Sequence, residues 1–326
     1  MKTILWNVRG ASSKEFLPHA KEVVRLHKPD ILFLLETKST DEIARAVCKR
    51  LGFEEFRTLP ANGLKGGMWL FWRKPAILMD FVTESPHVIH SLFKVSPNDP
   101  EVLITGVHAP SASRDKNELW NMLGENSPPA STPWLLLGDM NEVVSQSEKM
   151  GGRPITNSQG KAFTKWTDKE GLIDLKYHGP AFTWDNGREG TELIRERLDR
   201  ALANAEWIKV HPQTQVYHLA KTYSDHCPIL VDTNVVNRIF NYPFRCKEAW
   251  LENPNFDDFF ANAWNKGNDF NESKNCFTKE VKLWNKWVFN EAIQNKNRLI
   301  AHIHGIQKIL NTKYSSFLIN LEKTFF

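Results

Sequence analysis

The first 234 residues contain many short apolar segments, separated by polar loops and by only a few longer amphipathic stretches. Short runs of Val, Ile, Leu, Phe and Trp are typical of β-strands. We predict strands at residues 3–8, 31–35, 67–72, 77–83, 88–95, 102–108, 134–138, 196–201, 215–219 and 229–232. We predict helices at residues 15–27, 41–51, 114–123 and 158–170, the last with Ser158 as its N-cap. Many strands with few helices favour a layered sandwich over a doubly wound parallel sheet.

The end of the chain has a different pattern. From about residue 277 to residue 321 it contains no Pro and a single Gly. Apolar residues recur there at roughly helical spacing: Val281, Trp284, Val288, Leu299, Ile303, Ile306 and Leu310. We therefore predict one or two long amphipathic helices, whose apolar stripe needs a partner in the first domain, in another chain or in a segment not present here. The predicted domains are residues 1–234 and a basic helical extension, residues 235–326.

The charge of the chain is unevenly distributed. Residues 235–326 carry 13 Lys and Arg against 9 Asp and Glu, which leaves 29 of each sign in residues 1–234 from the totals of 42 and 38. The whole net charge of +4 therefore lies in the extension. A small basic excess is compatible with nucleic-acid binding but is weak evidence by itself.

Several classes of protein are excluded by simple features. The four cysteines (Cys48, Cys227, Cys246 and Cys276) lie far apart without a C-x-x-C pair, so neither a zinc knuckle nor a disulfide framework is expected. No apolar run approaches the roughly 18 residues of a membrane span, and the apolar run near the start is too short for a secretory signal. We expect a soluble, intracellular protein that has no contact with a membrane.

Four motifs place polar residues just where an apolar segment stops. They are Trp-Asn-Val-Arg-Gly at 6–10, Leu-Leu-Glu-Thr at 34–37, Leu-Gly-Asp-Met-Asn at 137–141 and Ser-Asp-His-Cys-Pro-Ile at 224–229. A carboxylate directly after a buried strand costs desolvation free energy unless a metal or a hydrogen-bond donor meets it. Four such endings in one domain indicate that these side chains converge at one edge of the fold.

The residue types fit metal-assisted hydrolysis of a phosphodiester. Hard oxygen ligands, with Glu36 first and Asn7, Asp139 or Asp225 nearby, suit Mg²⁺. The sequence has no Cys cluster or paired-His cluster that would favour zinc instead. A metal at such a site neutralises phosphate charge and helps the leaving oxygen depart.

The other residues of the motifs suit proton transfer. Asp139, held by Asn141 two residues later, can orient and deprotonate an attacking water. His226 can donate a hydrogen bond or a proton to the phosphate if an acidic neighbour fixes its tautomer. Asp199, in Arg-Leu-Asp-Arg at 197–200, is our candidate for that neighbour.

These motifs together resemble those of the endonuclease/exonuclease/phosphatase superfamily, which includes abasic-site endonucleases, DNase I-like nucleases and inositol polyphosphate phosphatases. The resemblance covers roughly residues 1–233 and rests on W-N-x-x-G, L-x-E-T, G-D-x-N, R-[LI]-D and S-D-H-x-P, all present in family order. It implies a DNase I-like α+β fold, a four-layer αββα sandwich, here followed by the helical C-terminal extension. It also implies Mg²⁺-dependent nicking of DNA, with Mn²⁺ as an alternative ion.

The resemblance also assigns a role to each motif residue. Glu36 would be the principal metal ligand, Asn7 would support the metal–phosphate cluster, and Asp225 would assist the metal or orient the water. Asp139 would be the base, and Asn141 would help it to position the water. His226, paired with Asp199, would contact the scissile phosphate.

Further segments resemble one branch of the superfamily, the endonuclease domain of plant non-LTR (LINE-type) retrotransposon polyproteins. They are Phe-Thr-Trp at 182–184, Gly-Gly-Met at 66–68 with Phe-Trp at 71–72, and residues 148–154. Residues 244–251 and 282–287 resemble the basic linker that leads to the reverse transcriptase of those polyproteins. The polymerase is absent, so we expect a truncated or domesticated copy.

Two positions depart from the family pattern. His108 stands where these families usually carry a Tyr, and an imidazole still donates to a phosphate oxygen. Arg9 stands where the related repair enzymes have an acidic residue, so it can touch a phosphate but cannot ligate a metal. Other candidate contacts to the DNA backbone, for which scattered surface charge is the favoured explanation, are Lys65, Arg114, Arg153, Arg188 and Arg195.

Two alternatives to DNA nicking remain open on the sequence. A hydrolase of the same fold can act instead on abasic DNA, RNA or inositol phosphates. A catalytically decayed retroelement fragment would only bind nucleic acid or a partner. A DNA substrate implies a nuclear location, and otherwise the expected location is cytoplasmic.

Overall fold

The computed structural model of the protein describes residues 1–63, 65–74, 76–94, 99–233, 248–311 and 315–324. Within them lie sixteen strands: β1 Lys2–Asn7, β2 Ile31–Leu35, β3 Glu55–Asn62, β4 Lys65–Trp72, β5 Ile77–Ser85, β6 Val88–Lys94, β7 Glu101–His108, β8 Trp134–Asp139, β9 Lys149–Met150, β10 Ile173–Asp174, β11 Tyr177–His178, β12 Trp184–Asp185, β13 Arg195–Glu196, β14 Asp199–Ala203, β15 Gln215–His218 and β16 Ile229–Asp232. The α-helices of the same residues are α1 Phe16–His27, α2 Asp41–Leu51, α3 Ser113–Glu125, α4 Lys161–Lys169, α5 Ala205–Val210, α6 Glu248–Leu251, α7 Phe256–Trp264, α8 Phe270–Leu310 and α9 Ser316–Lys323.

Two large sheets form the centre of the fold. The first has seven strands in the order β11-β15-β16-β1-β2-β4-β3, and the second has six in the order β10-β14-β8-β7-β6-β5. Neighbouring strands are antiparallel except for the parallel pairs β1 with β2, β7 with β8, and β11 with β15. A small third sheet has the order β12-β13-β9.

Alternating side chains sort into three apolar layers. Phe33 and Leu35 of β2 pack between the two sheets with Leu135 and Leu137 of β8. The intervening side chains of β2 face α1 and α2, and those of β8 face α3 and α4. Helices therefore cover the outer face of each sheet, which confirms the predicted four-layer αββα sandwich.

The strand register brings the predicted site residues together. Asn7, the last residue of β1, lies opposite Leu35 of the parallel strand β2, so Glu36 follows immediately beside it. In the second sheet Asp139 lies opposite His108 on one side and opposite Asp199 on the other. The site is thus built at the ends of central strands in both sheets.

The structure differs from the predicted elements in several details, including the short elements β9 to β12 and α5, which were not predicted. Helix α4 begins at Lys161, and its N-cap is Gly160 with φ 77° rather than Ser158. Glycine suits position 160 because a Cβ there would lie 2.9 Å from the carbonyl oxygen of Val143. The predicted strand 196–201 is two strands, β13 and β14, which pair with different sheets. Strand β3 was not predicted, since it is an edge strand that contains Pro60 and few apolar residues.

The described residues fall into two compact units. One comprises the residues up to Thr233 together with those from Ile303 onward, and the other comprises the residues from Glu248 to His302. The predicted boundary at residues 234 and 235, and residues 244–247 of the predicted linker, lie outside the described residues. In the part of the chain that the structure describes, no helix combines the length and the apolarity that crossing a bilayer requires.

The second unit is helical, as the sequence predicts for this part of the chain. Its apolar core consists of side chains from α6, α7 and α8: Trp250, Phe256, Ala263, Phe277 and Val281. Other large apolar side chains of this unit stay exposed: Leu251, Phe270, Leu283 and Trp287. The helices therefore bury only part of their apolar surface within the unit.

Candidate active site

Asn7 links the two sheets at the candidate site. It is fully buried at the end of β1, and its amide nitrogen donates to Glu36 Oε1 at 3.2 Å and to Asp139 Oδ2 at 3.0 Å. Its own oxygen accepts from the backbone N–H of Arg9 at 3.2 Å. One neutral side chain thus holds two carboxylates from different sheets at a fixed separation.

Glu36 follows β2 in a left-handed conformation, with φ 50°. Such a conformation is costly for a glutamate and is typical of functional sites, where surrounding contacts maintain it. His108 Nε2 lies 3.3 Å from Glu36 Oε1, and Lys38 Nζ lies 2.8 Å from Oε2. Burial opposes ionisation of this carboxyl, but the hydrogen bonds from His108, Lys38 and Asn7 outweigh it and lower its pKa. Glu36 is therefore a carboxylate at neutral pH.

Asp139 ends β8 and is almost completely buried. Its Oδ1 accepts from the backbone N–H of Asn141 at 3.0 Å, so the turn after the strand orients the carboxylate. The preceding residue must be glycine, because a Cβ at Gly138 would lie 2.4 Å from the carbonyl oxygen of Val107 on the neighbouring strand. Asn141 has φ 46° and donates to the Ala109 carbonyl at 2.7 Å, so its amide group is also fixed.

His226 and Asp199 form a buried pair. His226 Nδ1 lies 2.9 Å from Asp199 Oδ2, and Nε2 lies 3.6 Å from Asp139 Oδ2. Burial alone would lower the pKa of His226, but the charges of Asp199 and Asp139 raise it to about 9. Burial raises the pKa of Asp199, and the imidazolium works against that rise. With two carboxylates beside the ring, the shared proton stays on His226.

Asp225 is held from two sides. Arg9 Nη1 lies 2.6 Å from its Oδ2, and Trp184 Nε1 donates to the same oxygen at 2.9 Å. The Ser224 hydroxyl donates to Oδ1 at 3.2 Å. Arg9 itself has φ 47° and contacts Asn7 through its backbone, so the Arg9–Asp225 pair is attached to the rest of the site.

The structure thus connects almost all of the residues that the motifs predict. Direct contacts join Asn7, Arg9, Glu36, His108, Asp139, Asn141, Asp199, Asp225 and His226. Arg114 is not joined to this network by a described contact; its side chain is 88% exposed and pairs with Glu118 on the same helix. Arg195, another candidate phosphate contact, is buried against Glu322 instead.

Several supporting residues were not predicted. Buried Lys116 of α3 donates to the Asn141 carbonyl at 2.7 Å and pairs with Glu142. The Thr183 hydroxyl accepts the backbone N–H of Asp199 at 2.9 Å. The indole N–H of Trp184 donates to Asp225, a role that the resemblance of its segment does not specify. Only the position of such residues beside a motif would have indicated their role, because Lys, Thr and Trp have many other uses.

Charged side chains also anchor the segment that carries Asp199. Arg200 is fully buried, and its guanidinium contacts Glu148 at 2.5 Å and Asp174 at 2.7 Å. Arg197 contacts the same two carboxylates at 2.9 Å and 2.6 Å. Two arginines on either side of Asp199 are thus fixed by two shared carboxylates, which leaves Asp199 little freedom to move.

The donor set fits a hard divalent cation. The carboxylates of Glu36 and Asp139 present oxygen donors within reach of one amide group, that of Asn7, which suits Mg²⁺. An overlapping group, Asp139, Asp199 and His226, has ligand atoms within 4.8 Å of one another, the only such group of His, Cys, Asp and Glu in the described residues. In that group His226 Nδ1 is already engaged by Asp199, so Glu36 and Asp139 are the better candidates.

Comparison with known protein structures finds the same fold at low sequence identity. The 3′-5′ exonuclease NExo from Neisseria meningitidis has 18% identity and a TM-score of 0.54, over 71% of this chain and 99% of the other. The endonuclease domain of TRAS1, a telomere-specific non-LTR retrotransposon, has 12% identity and a TM-score of 0.52, over 72% and 98%. D. rerio TDP2, complexed with single strand DNA product, has 15% identity and a TM-score of 0.51, over 71% and 97%. These similarities show the fold alone.

Sequence comparison identifies the family. No curated protein matches the chain. The model of the Endonuclease/Exonuclease/phosphatase family matches residues 4–226, which include every residue of the network described above. The match covers more than half of the chain, and the chain belongs to the Endonuclease/Exonuclease/phosphatase family.

Proposed function

We propose that the protein is a Mg²⁺-dependent phosphodiesterase that nicks DNA. Members of its family are hydrolases of phosphodiesters or phosphate esters that depend on a divalent metal. The observation that carries the proposal is the network in which Asn7 bridges Glu36 and Asp139 while Asp199 holds His226 against Asp139. This arrangement combines oxygen donors for a metal with a positioned base and a positioned proton donor.

Each residue has a distinct part in the proposed reaction. Glu36, with Asp139 and Asn7 beside it, would hold the metal, and Asp225 would assist there. A bound Mg²⁺ would neutralise charge on the scissile phosphate and stabilise the leaving oxygen. Asp139, whose carboxylate is oriented by Asn141, would accept the proton of the attacking water.

Cationic and neutral donors would bind the phosphate itself. His226 keeps its proton because Asp199 and Asp139 flank the ring, so it would donate to a non-bridging phosphate oxygen. His108 lies against Glu36 and would donate from the position where the family usually carries a Tyr. Arg9 and the exposed Arg114 would contact neighbouring phosphates of the strand.

DNA is the proposed substrate because of the resemblance to plant LINE-type endonuclease domains, and because two structural neighbours are a retrotransposon endonuclease domain and a protein complexed with single strand DNA. A nick in DNA would leave a 3′-OH that primes reverse transcription in such elements. Binding would rest on phosphate contacts, so affinity for DNA would fall steeply as the salt concentration rises.

A DNA substrate would place the protein in the nucleus. The exposed apolar side chains of the helical unit would contact a protein partner.

A substrate panel tests this proposal. The full chain is incubated with supercoiled plasmid, abasic duplex, RNA and inositol phosphates, each with Mg²⁺, with Mn²⁺ and with EDTA. We expect metal-dependent nicking of the plasmid at a rate above that on the other three substrates. Faster turnover of abasic duplex, RNA or inositol phosphates would overturn the choice of DNA and identify the substrate class.

A variant at position 108 tests whether inactivity of the chain would result from decay of the site. If the folded chain hydrolyses none of the four substrates, the variant His108→Tyr is tested on the same panel. Recovery of plasmid nicking by His108→Tyr would mean that the protein is a decayed endonuclease. Continued inactivity would contradict the proposed phosphodiesterase function.

A further inference from the structure

The end of the chain folds back onto the unit that carries the candidate site. This C-terminal segment, residues 303–311 and 315–324, includes the last turns of α8 and the whole of α9. Its apolar side chains Ile306, Leu310 and Ile319 are buried in one cluster with Leu193. Leu193 lies in the loop between β12 and β13. These two strands and their loop, residues 184–196, are called here the β12–β13 connection.

Buried polar groups make this contact specific. The Gln307 side chain is buried and bonds both backbone groups of Lys221: its oxygen accepts the N–H at 3.2 Å and its nitrogen donates to the carbonyl at 3.3 Å. The Gln307 nitrogen also donates to Glu322 Oε1 at 3.0 Å. A buried amide that satisfies a backbone donor and acceptor at once fixes the position of residue 221.

Glu322 extends the same network to the β12–β13 connection. It is a buried carboxylate on α9, and its Oε2 lies 3.4 Å from Nη2 of the equally buried Arg195. Removing one partner of a buried charge pair leaves the other charge uncompensated. The two anchor points, Lys221 and Arg195, therefore both depend on side chains of the C-terminal segment.

The anchored residues are in contact with the candidate site. Lys221 Nζ pairs with Asp185, and the backbone N–H of Asp185 donates to the Asp225 carbonyl at 3.3 Å. The adjacent Trp184 donates its indole N–H to Asp225 Oδ2 at 2.9 Å. Backbone pairing also connects Trp184 to His226. A continuous set of contacts thus runs from Gln307 and Glu322 to Asp225 and His226.

We propose that the C-terminal segment positions the active site, with Gln307 and Glu322 as positioning residues that hold Trp184 against Asp225. The family match ends at residue 226, and the C-terminal segment begins about 80 residues later, at Ile303. The nuclease would then consist of both parts of the chain. The kinetic consequence rests on the proposed phosphodiesterase function, whereas the structural consequence does not.

The experiment uses the full chain and two independent variants, Gln307→Ala and Glu322→Ala. The matched control is Phe317→Ala, because Phe317 lies on α9 with its side chain 71% exposed. The first readout is the indole N–H signal of Trp184 in ¹⁵N–¹H spectra, which reports the hydrogen bond to Asp225. The second readout is the pair of kcat and KM for plasmid nicking.

We expect both variants to shift the Trp184 indole signal and to lower kcat about tenfold with little change in KM, as for other supporting contacts of a metal site. Phe317→Ala should match the wild type in both readouts. An unchanged indole signal in two folded variants would overturn the inference. If the wild type does not nick DNA but the indole signal still shifts, the proposed function fails and the positioning role stands.

Discussion

Replacing Asp199 by Asn gives a quantitative test of the His226–Asp199 pair. Asp199 is fully buried and lies 2.9 Å from His226 Nδ1, so Asn keeps the shape of the side chain and removes its charge. The carboxylates around His226 raise its pKa from 6.5 to about 9 against the effect of burial. A rise of that size corresponds to about 3 kcal/mol in favour of the imidazolium.

The loss of that stabilisation should appear in both the pKa and the rate. In the metal-free Asp199→Asn chain, the pKa of His226 should fall to 6.5 or below, because burial is then opposed only by the more distant charges. Since about 1.4 kcal/mol corresponds to a factor of ten in rate, the single-turnover rate of plasmid nicking at neutral pH should fall by about two orders of magnitude. The pKa is measured by NMR titration of the His226 ring protons, with EDTA present.

The control for this variant is Asp168→Asn, which makes the same change at an exposed position on α4. It should leave both the pKa of His226 and the nicking rate unchanged. Thermal unfolding of each variant establishes that the fold is retained. The reasoning would be refuted by a folded Asp199→Asn chain that nicks DNA within a factor of two of the wild-type rate, or whose His226 titrates near 9.

Three further predictions concern single side chains. Lys38→Met removes the ammonium group that lies 2.8 Å from Glu36, and a partly exposed pair of this kind is worth ~1 kcal/mol. The affinity for Mg²⁺, measured by calorimetry, should therefore rise about fivefold. An unchanged or weaker affinity would contradict this prediction. Burial lowers the pKa of His218 to about 3, so its imidazole stays neutral in the folded state and binds a proton below pH 6.5 in the unfolded state. The free energy of unfolding should therefore fall by about 2 kcal/mol from pH 7 to pH 5 through this residue. Urea unfolding of His218→Gln should lack that share of the pH dependence. Gly106→Ala places a Cβ 2.6 Å from Phe33 in the core and should destabilise the protein by roughly 1–3 kcal/mol in urea unfolding, whereas Gly305→Ala on α8 meets nothing within 4 Å and should not destabilise it.

Much of the candidate site follows from the sequence because each motif stands at one end of a strand. The motif at 224–229 leads into β16 and does not follow the end of an apolar segment as predicted, and Asp199 begins β14. The pairing of β1 with β2 places Asn7 beside Glu36, and the pairing of β7 with β8 places His108 beside Asp139. The packing of the two sheets then brings Asn7 to Asp139. The strand ends also account for the left-handed backbone at Glu36 and Asn141, where the chain leaves the sheet abruptly. Local pattern and global fold agree here, which is why the convergence of these side chains is predictable.

Other features depend on tertiary contacts that have no local signal. The contacts of Lys116 with Asn141 and of Trp184 with Asp225 join residues far apart in the chain, and no local pattern predicts such pairs. The same holds for Gln307 and Glu322, whose amphipathic helices are predictable although the surface they cover is not. Strand β3 escapes prediction because an edge strand needs few apolar residues.

Arg9, which departs from the pattern of the related repair enzymes, pairs with Asp225 in the structure. The guanidinium of Arg9 lies 2.6 Å from Asp225 Oδ2 and opposes its negative charge. We expect a divalent ion to bind beside Glu36 and Asp139, with Asp225 in an assisting position.

The most direct test of the account is the nicking of supercoiled plasmid by the full chain with Mg²⁺ and with EDTA, beside Asp139→Asn and the control Asp168→Asn. The account predicts nicking that requires Mg²⁺, is lost in Asp139→Asn and is retained in Asp168→Asn, because Asp139 connects Asn7, Asn141 and His226 in one site. Metal-dependent nicking that persists in a folded Asp139→Asn chain would contradict it.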